Sequence, residues 1–323
     1  MSYQANTAAA LPRPTGRHPQ ERSTYPHHTT ATPALAATHG ILTDPRHDQQ
    51  VRWQPGERLH HLFEERCRRL EQAGYPAHLA VDSEHGRSWS YRQLDQRANQ
   101  LARYLLAQGF HGGDRIGLLL DKGANSYLAM LAVLKIHAAY VPLDPQFPDE
   151  RIAFISTDAN LAGVLSISTY ACQARAAGGQ LLCLDQLAAE LDPLPTASLS
   201  LSETGRPFSE LCYIIYTSGS TGKPKGVPIE QASICHFVRV AADIYGYSAE
   251  DRVYQGLTLA FDFAVEEIWV PLSVGATLVP NQRGMPLLGE ELGEFLQQQR
   301  ISALCCVPTL LATLKPTCRR CVC

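Results

Sequence analysis

Residues 213–226 read "YIIYTSGSTGKPKG". The first four are β-branched or aromatic and predict a buried strand. The ten that follow hold three glycines, two serines, two threonines, two lysines and one proline. That composition cannot pack a core, but it exposes many backbone N–H groups at short range. Donors that converge where no side chain blocks them form an anion cradle.

In this stretch Gly219 and Gly222 let the backbone approach a ligand closely. Thr217, Ser218, Ser220 and Thr221 add hydroxyl donors, and Lys223 and Lys225 add positive charge on either side of Pro224. A polyphosphate is the ligand such a loop suits. The pattern differs from G-x-x-x-x-G-K-[ST], because Lys223 is followed by proline. The expected context is strand, loop, then helix, with "QASICHFVRVAADIYG" (231–246) supplying the helix.

Outward from the loop, strand and helix patterns alternate. "HLAVD", "RIGLLL", "AAYVPL", "GVLSI", "QLLCL", "RVYQG", "ATLVP" and "ALCCV" read as strands. "WSYRQLDQRANQLARYLLAQG" reads as a helix capped by Ser90 and ended by Gly109, with Leu94, Ala98, Leu101 and Leu105 on one stripe. "NSYLAMLAVLKIH", "PDERIAFISTDA", "AVEEIWVPLS" and "GEELGEFLQQQR" read as further helices. This alternation predicts an α/β fold with two packed, doubly wound, mostly parallel sheets. The Pro- and Ser-rich stretch 191–209 is read as the linker between them. Residues 1–50, rich in Ala, Thr, Pro and His, are read as a disordered leader.

Composition excludes several classes. Net charge is −3 over 323 residues, without the basic excess of a nucleic-acid-binding surface. The cluster Arg66, Arg68, Arg69 is read as a solvated helix face. No stretch approaches the roughly 18 apolar residues of a membrane span, and no signal-peptide pattern opens the chain. Ten cysteines without scaffold spacing fit free thiols in a reducing, cytoplasmic setting.

The stretch "LCYIIYTSGSTGKPKGV" resembles the phosphate-binding signature of the adenylate-forming (AMP-binding) enzymes, most nearly the adenylation domains of nonribosomal peptide synthetases. The resemblance runs from about residue 55 to 314. "WSYRQLDQRANQLARYL" resembles the family's first conserved helix and "LKIHAAYVPLDPQFP" its second motif, with Ile136 and His137 where small residues are usual. "LAFDFAVEEIWVPLSVGATLV" resembles the fourth motif, and "ALCCVPTLL" a strand and turn beside the substrate pocket.

The resemblance implies ATP-dependent activation of an amino-acid carboxylate as an acyl-adenylate. A carrier-protein phosphopantetheine thiol then takes the acyl group, and Mg2+ bridges the phosphates. It implies that Thr217, Ser218, Gly219, Ser220, Thr221, Gly222 and Lys225 hold phosphate. Asp262 would take the substrate α-ammonium, and Phe263, Glu266 and Cys305 would line the side-chain pocket. Glu266 lies one helical turn from Asp262, so the two share a face, while Glu267 is expected to make a surface or structural pair. A buried carboxylate needs a cationic partner: Lys315, a residue outside this sequence, or the side chain of a substrate such as lysine, ornithine or diaminobutyrate.

An acyl- or aryl-acid CoA ligase is the alternative, for which a carboxylate at Asp262 has no use. A catalytically incomplete nucleotide-binding fragment is the other. The family's Y-G-P-T-E stretch, ribose-binding aspartate and lid with its catalytic lysine have no counterpart here, and 315–323 do not resemble the family's continuation. Residues 51–314 are thus expected to form an incomplete large N-terminal subdomain that does not catalyse adenylation alone.

Overall fold

The computed structural model describes residues 54–84, 88–218 and 223–314. The leader, the tail with Lys315, and Gly219, Ser220, Thr221 and Gly222 lie outside the described residues. Ten strands are present among the described residues: β1 (Leu79–Val81), β2 (Trp89–Ser90), β3 (Arg115–Leu119), β4 (Ala139–Leu143), β5 (Gly163–Ser166), β6 (Gln180–Cys183), β7 (Leu211–Thr217), β8 (Lys225–Glu230), β9 (Arg252–Gln255) and β10 (Thr277–Pro280). They form a six-stranded sheet, order β6-β5-β3-β4-β7-β8, and a four-stranded sheet, order β2-β1-β10-β9. Pairing is parallel except for the edge strands β8 and β2.

The strand sequences explain the layering. Side chains alternate across a strand, so buried on both faces these strands read as continuous apolar runs. In β7, Tyr213 and Ile215 enter one core while Ile214 and Tyr216 enter another. In the second sheet, Val253 and Leu278 face the first of those cores, and Tyr254 and Val279 face a third. The shared central core therefore lies between the two sheets, filled by helices such as Tyr91–Ala107, Ala124–Lys135 and Phe263–Val274. The helix Asp149–Ala159 covers the far side of the six-stranded sheet through Ile152 and Ile155. The helix Gly289–Gln298 covers the far side of the other through Leu292 and Phe295.

Local signals hold where the stripe is clean. Ser90 caps Tyr91–Ala107: its Oγ accepts from Gln93 N at 3.2 Å, and Gln93 Oε1 accepts from Ser90 N at 2.9 Å. Leu94, Ala98, Leu101 and Leu105 are fully buried. The helix Ala124–Lys135 is buried nearly all round, and no described helix is long and apolar enough to cross a membrane.

Three expectations are corrected. The 191–209 stretch does not separate the sheets, since β1 and β2 precede the six-stranded sheet in sequence yet belong to the other. Instead it straps the helix Tyr91–Ala107, whose Asn99, Gln100 and Arg103 donate to the carbonyls of Thr196, Leu194, Pro195 and Ala197. Carbonyls without a ladder found donors on a neighbouring helix, which satisfies them as strand pairing would. "ALCCV" forms only an isolated bridge, Ala303 to Val253. Arg66 is buried, not solvated; its Nε donates to Ser273 O at 2.9 Å.

His137 holds φ +62°, the left-handed region that favours glycine. It sits buried with His60 nearby, their ring centroids 6.1 Å apart. Neither His137 ring nitrogen nor His60 Nδ1 has a hydrogen-bond partner. Burial, then the charge of Arg58 and the neighbouring His61, lowers the His137 pKa to about 4. Burial, with His61, Lys135, His137 and Arg58, lowers His60 well below its ordinary value. Both rings are therefore neutral in the fold, and the unfolded chain takes up the extra protons below pH 6.5. Stability is expected to fall as pH drops from 6.5 to 4, with His137 contributing about 3 kcal/mol. Urea unfolding of His137→Gly across that window should give a shallower slope. A slope equal to wild type would show that His137 does not titrate as described.

Candidate active site

Parallel α/β sheets bind ligands beyond the carboxyl ends of their strands. Here the carboxyl ends of both sheets border one cavity of about 820 Å³. Lys122 and Asp144 follow β3 and β4 of the first sheet, and Gly256 and Asn281 follow β9 and β10 of the second. Glu267, Cys305, Asp121, Thr258 and Arg283 add to its polar lining, and of the expected site residues among those described Cys305 alone lines it.

The loop beginning at Ser218 leaves the carboxyl end of β7. It does not run into a helix. Thr217 pairs with Lys225, and β8 returns antiparallel to β7 before the helix Gln231–Tyr245 begins. The hairpin is hard to read because β8 is an exposed edge carrying Gly226 and Pro228, residues usual only at sheet edges and bulges. A Cβ at Gly226 would lie 2.9 Å from the Tyr216 ring, so a larger residue there would have to displace that ring. The next helix therefore begins only after β8, and not at the end of this loop. Thr217, Ser218 and Lys225 are exposed, with Thr217 and Lys225 as ladder partners at the base of the loop. These groups fit a polyphosphate.

Asp262 caps the helix Phe263–Val274, its Oδ1 accepting from Phe263 N at 2.8 Å, and is exposed. Phe263 and Glu266 are half-buried. Glu266 and Cys305 meet: the Cys305 thiol donates to Glu266 Oε1 at 3.2 Å, and the Tyr245 hydroxyl donates to the same oxygen at 2.7 Å.

Glu267 is the more buried of the two glutamates, 2% exposed, so of the surface and structural pairings expected for it the structural one holds. Its Oε2 accepts from Leu257 N at 3.0 Å and from Gly256 N and Gln255 Nε2 at 3.2 Å each. Burial raises its pKa to about 7 against these bonds and the nearby Lys122. Lys122 in turn donates to Gly256 O at 3.2 Å. Glu267 and Lys122 thus clamp the turn that leads to Asp262. Helical spacing placed Glu266 beside Asp262 but carried no sign that the 256–257 turn would fold back onto Glu267.

Among the described residues no group of three or more His, Cys, Asp or Glu is placed to hold a metal ion. Mg2+ is commonly held by phosphates with one or two carboxylates, so it would arrive with the nucleotide.

Residues 67–320 match the family model described as AMP-binding enzyme. Tyrocidine synthase 1 of Brevibacillus parabrevis is 32% identical over 287 residues, 87% of this chain and 25% of that protein. Delta-poly-L-ornithine synthetase of Acinetobacter baumannii is 37% identical over 234 residues, 69% of this chain and 16% of that protein. The AMPPNP-bound form of the nonribosomal peptide synthetase FmoA3 superposes with a TM-score of 0.68 at 26% identity, over 79% of this chain and 26% of that chain. The chain spans a small fraction of the length of these relatives.

Proposed function

Because the chain belongs to the AMP-binding enzyme family, we propose that it supplies the phosphate- and amino-acid-binding part of a peptide-synthetase adenylation domain. The carrying observation is that the loop after β7 leaves a strand carboxyl end, while Glu267 of the Phe263–Val274 helix and Cys305 line the cavity at the carboxyl ends of the strands. The substrate carboxylate attacks the α-phosphorus of ATP; the bond to the bridging oxygen breaks and pyrophosphate leaves. Amides and hydroxyls of the loop, with Lys225, meet the charge that moves onto pyrophosphate, where preorganised donors act most strongly. A carrier-protein thiol then attacks the acyl carbon and releases AMP.

Asp262 takes the α-ammonium, as a charge-assisted pair. An acid without an amino group gains nothing there, which favours an amino acid over the acyl-CoA reading. The side chain is cationic: Glu266 has two neutral donors and no cation on it among the described residues. The name of the ornithine-polymer synthetase supports the same direction.

The test is amino-acid-dependent ATP–pyrophosphate exchange by the intact protein carrying these residues, with the twenty amino acids, ornithine and diaminobutyrate. Glu266→Gln is expected to lower kcat/KM for the cationic substrate about a hundredfold and to spare neutral ones. Preference of the wild type for a neutral apolar amino acid would remove the cationic assignment.

A further inference from the structure

The oxygen atoms of Glu266 are not equivalent. Oε1 takes both the Tyr245 hydroxyl, at 2.7 Å, and the Cys305 thiol, at 3.2 Å. Among the described residues no hydrogen bond reaches Oε2. Tyr245 ends the helix Gln231–Tyr245, an element that does not otherwise carry a candidate site residue. Tyr247 follows, its ring centroid 5.7 Å from that of Tyr245 at 59°. Burial first, then these carboxylate and thiol neighbours, raises both tyrosine pKa values, so both hydroxyls remain donors.

Resting on the amino-acid-activating reading above, we infer that Tyr245, with Cys305, is a positioning residue that sets the site for a primary ammonium and against a guanidinium. An arginine side chain pairs best with a carboxylate through two parallel bonds, one to each oxygen. With Oε1 already holding two donors, that fork has one oxygen left. A lysine-type ammonium is a compact point charge and needs one oxygen only.

The experiment compares ornithine, lysine, arginine and leucine in ATP–pyrophosphate exchange by the intact protein and three variants. The wild type is expected to favour ornithine or lysine over arginine by at least roughly tenfold in kcat/KM. Tyr245→Phe frees Oε1 of its shorter bond. It should raise KM for the ammonium substrates with little change in kcat and narrow the gap to arginine by roughly tenfold. Cys305→Ala should move the ratio in the same direction by less. Equal loss for all four amino acids in Tyr245→Phe, or an unchanged ammonium-to-guanidinium ratio in both variants, overturns the inference. Glu266→Gln separates the two levels. If it leaves the ornithine-to-leucine ratio unchanged, the cationic reading itself fails. If it collapses that ratio while Tyr245→Phe leaves ornithine against arginine untouched, the positioning role alone fails.

Discussion

Lys225→Ala combined with Gly222→Val is expected to abolish amino-acid-dependent ATP–pyrophosphate exchange, by about a thousandfold or more, while circular dichroism stays unchanged. Removing one preorganised donor from a developing anion costs about 10²–10³ in rate, and this variant removes a charge and crowds the loop backbone as well. The fold should tolerate it, because Lys225 is exposed and its role in the sheet is a backbone pairing with Thr217 that alanine keeps. The hairpin context sharpens the expectation. Since the loop leads into β8 and not directly into a helix, the following element supplies no helix dipole to the lysine and the loop donors. Exchange at the wild-type rate would show that the loop does not hold the phosphates.

Lys135→Ala is expected to destabilise the protein by about 3 kcal/mol. The Lys135 side chain is 2% exposed and pairs with Glu64 and with Asp95, the latter at 2.9 Å. Burial alone would lower its pKa, but Asp95 and Glu64 outweigh that and raise it. Removing the cation leaves two facing carboxylates, each about one-fifth exposed, beside each other without compensation. The triple variant Lys135→Met, Glu64→Gln, Asp95→Asn should recover most of the loss, because desolvation and attraction roughly cancel in such clusters. Urea midpoints of the three proteins measure both effects. A change below about 1 kcal/mol in Lys135→Ala would place the triad with weak surface pairs.

Two features of the pH dependence run in opposite senses. His60 and His137 lose stability as the medium acidifies, whereas Glu267, with its pKa raised to about 7, is destabilising as pH rises from 4.5 through 7. Stability should therefore vary less across pH 5–7 than either group alone would require.

The α/β class, Ser90 as a cap, the stripe of Leu94, Leu101 and Leu105, and the strand 213–216 were all legible in sequence, because each depends on neighbours within a turn or a pleat. The spacing of Asp262 and Glu266 belongs to the same class of information. Tertiary structure alone decided that β1 and β2 join β9 and β10 across the six-stranded sheet, because partner choice is set by buried faces and not by sequence order. It alone turned the loop after β7 into a hairpin, since β8 is held by ladder bonds to a strong neighbour despite its own glycine and proline. It buried Glu267 and Arg66, whose backbone partners come from other elements, and it brought Tyr245 to Glu266 from the end of a different helix. A polar side chain's environment depends on which distant groups reach it, and no local period records that.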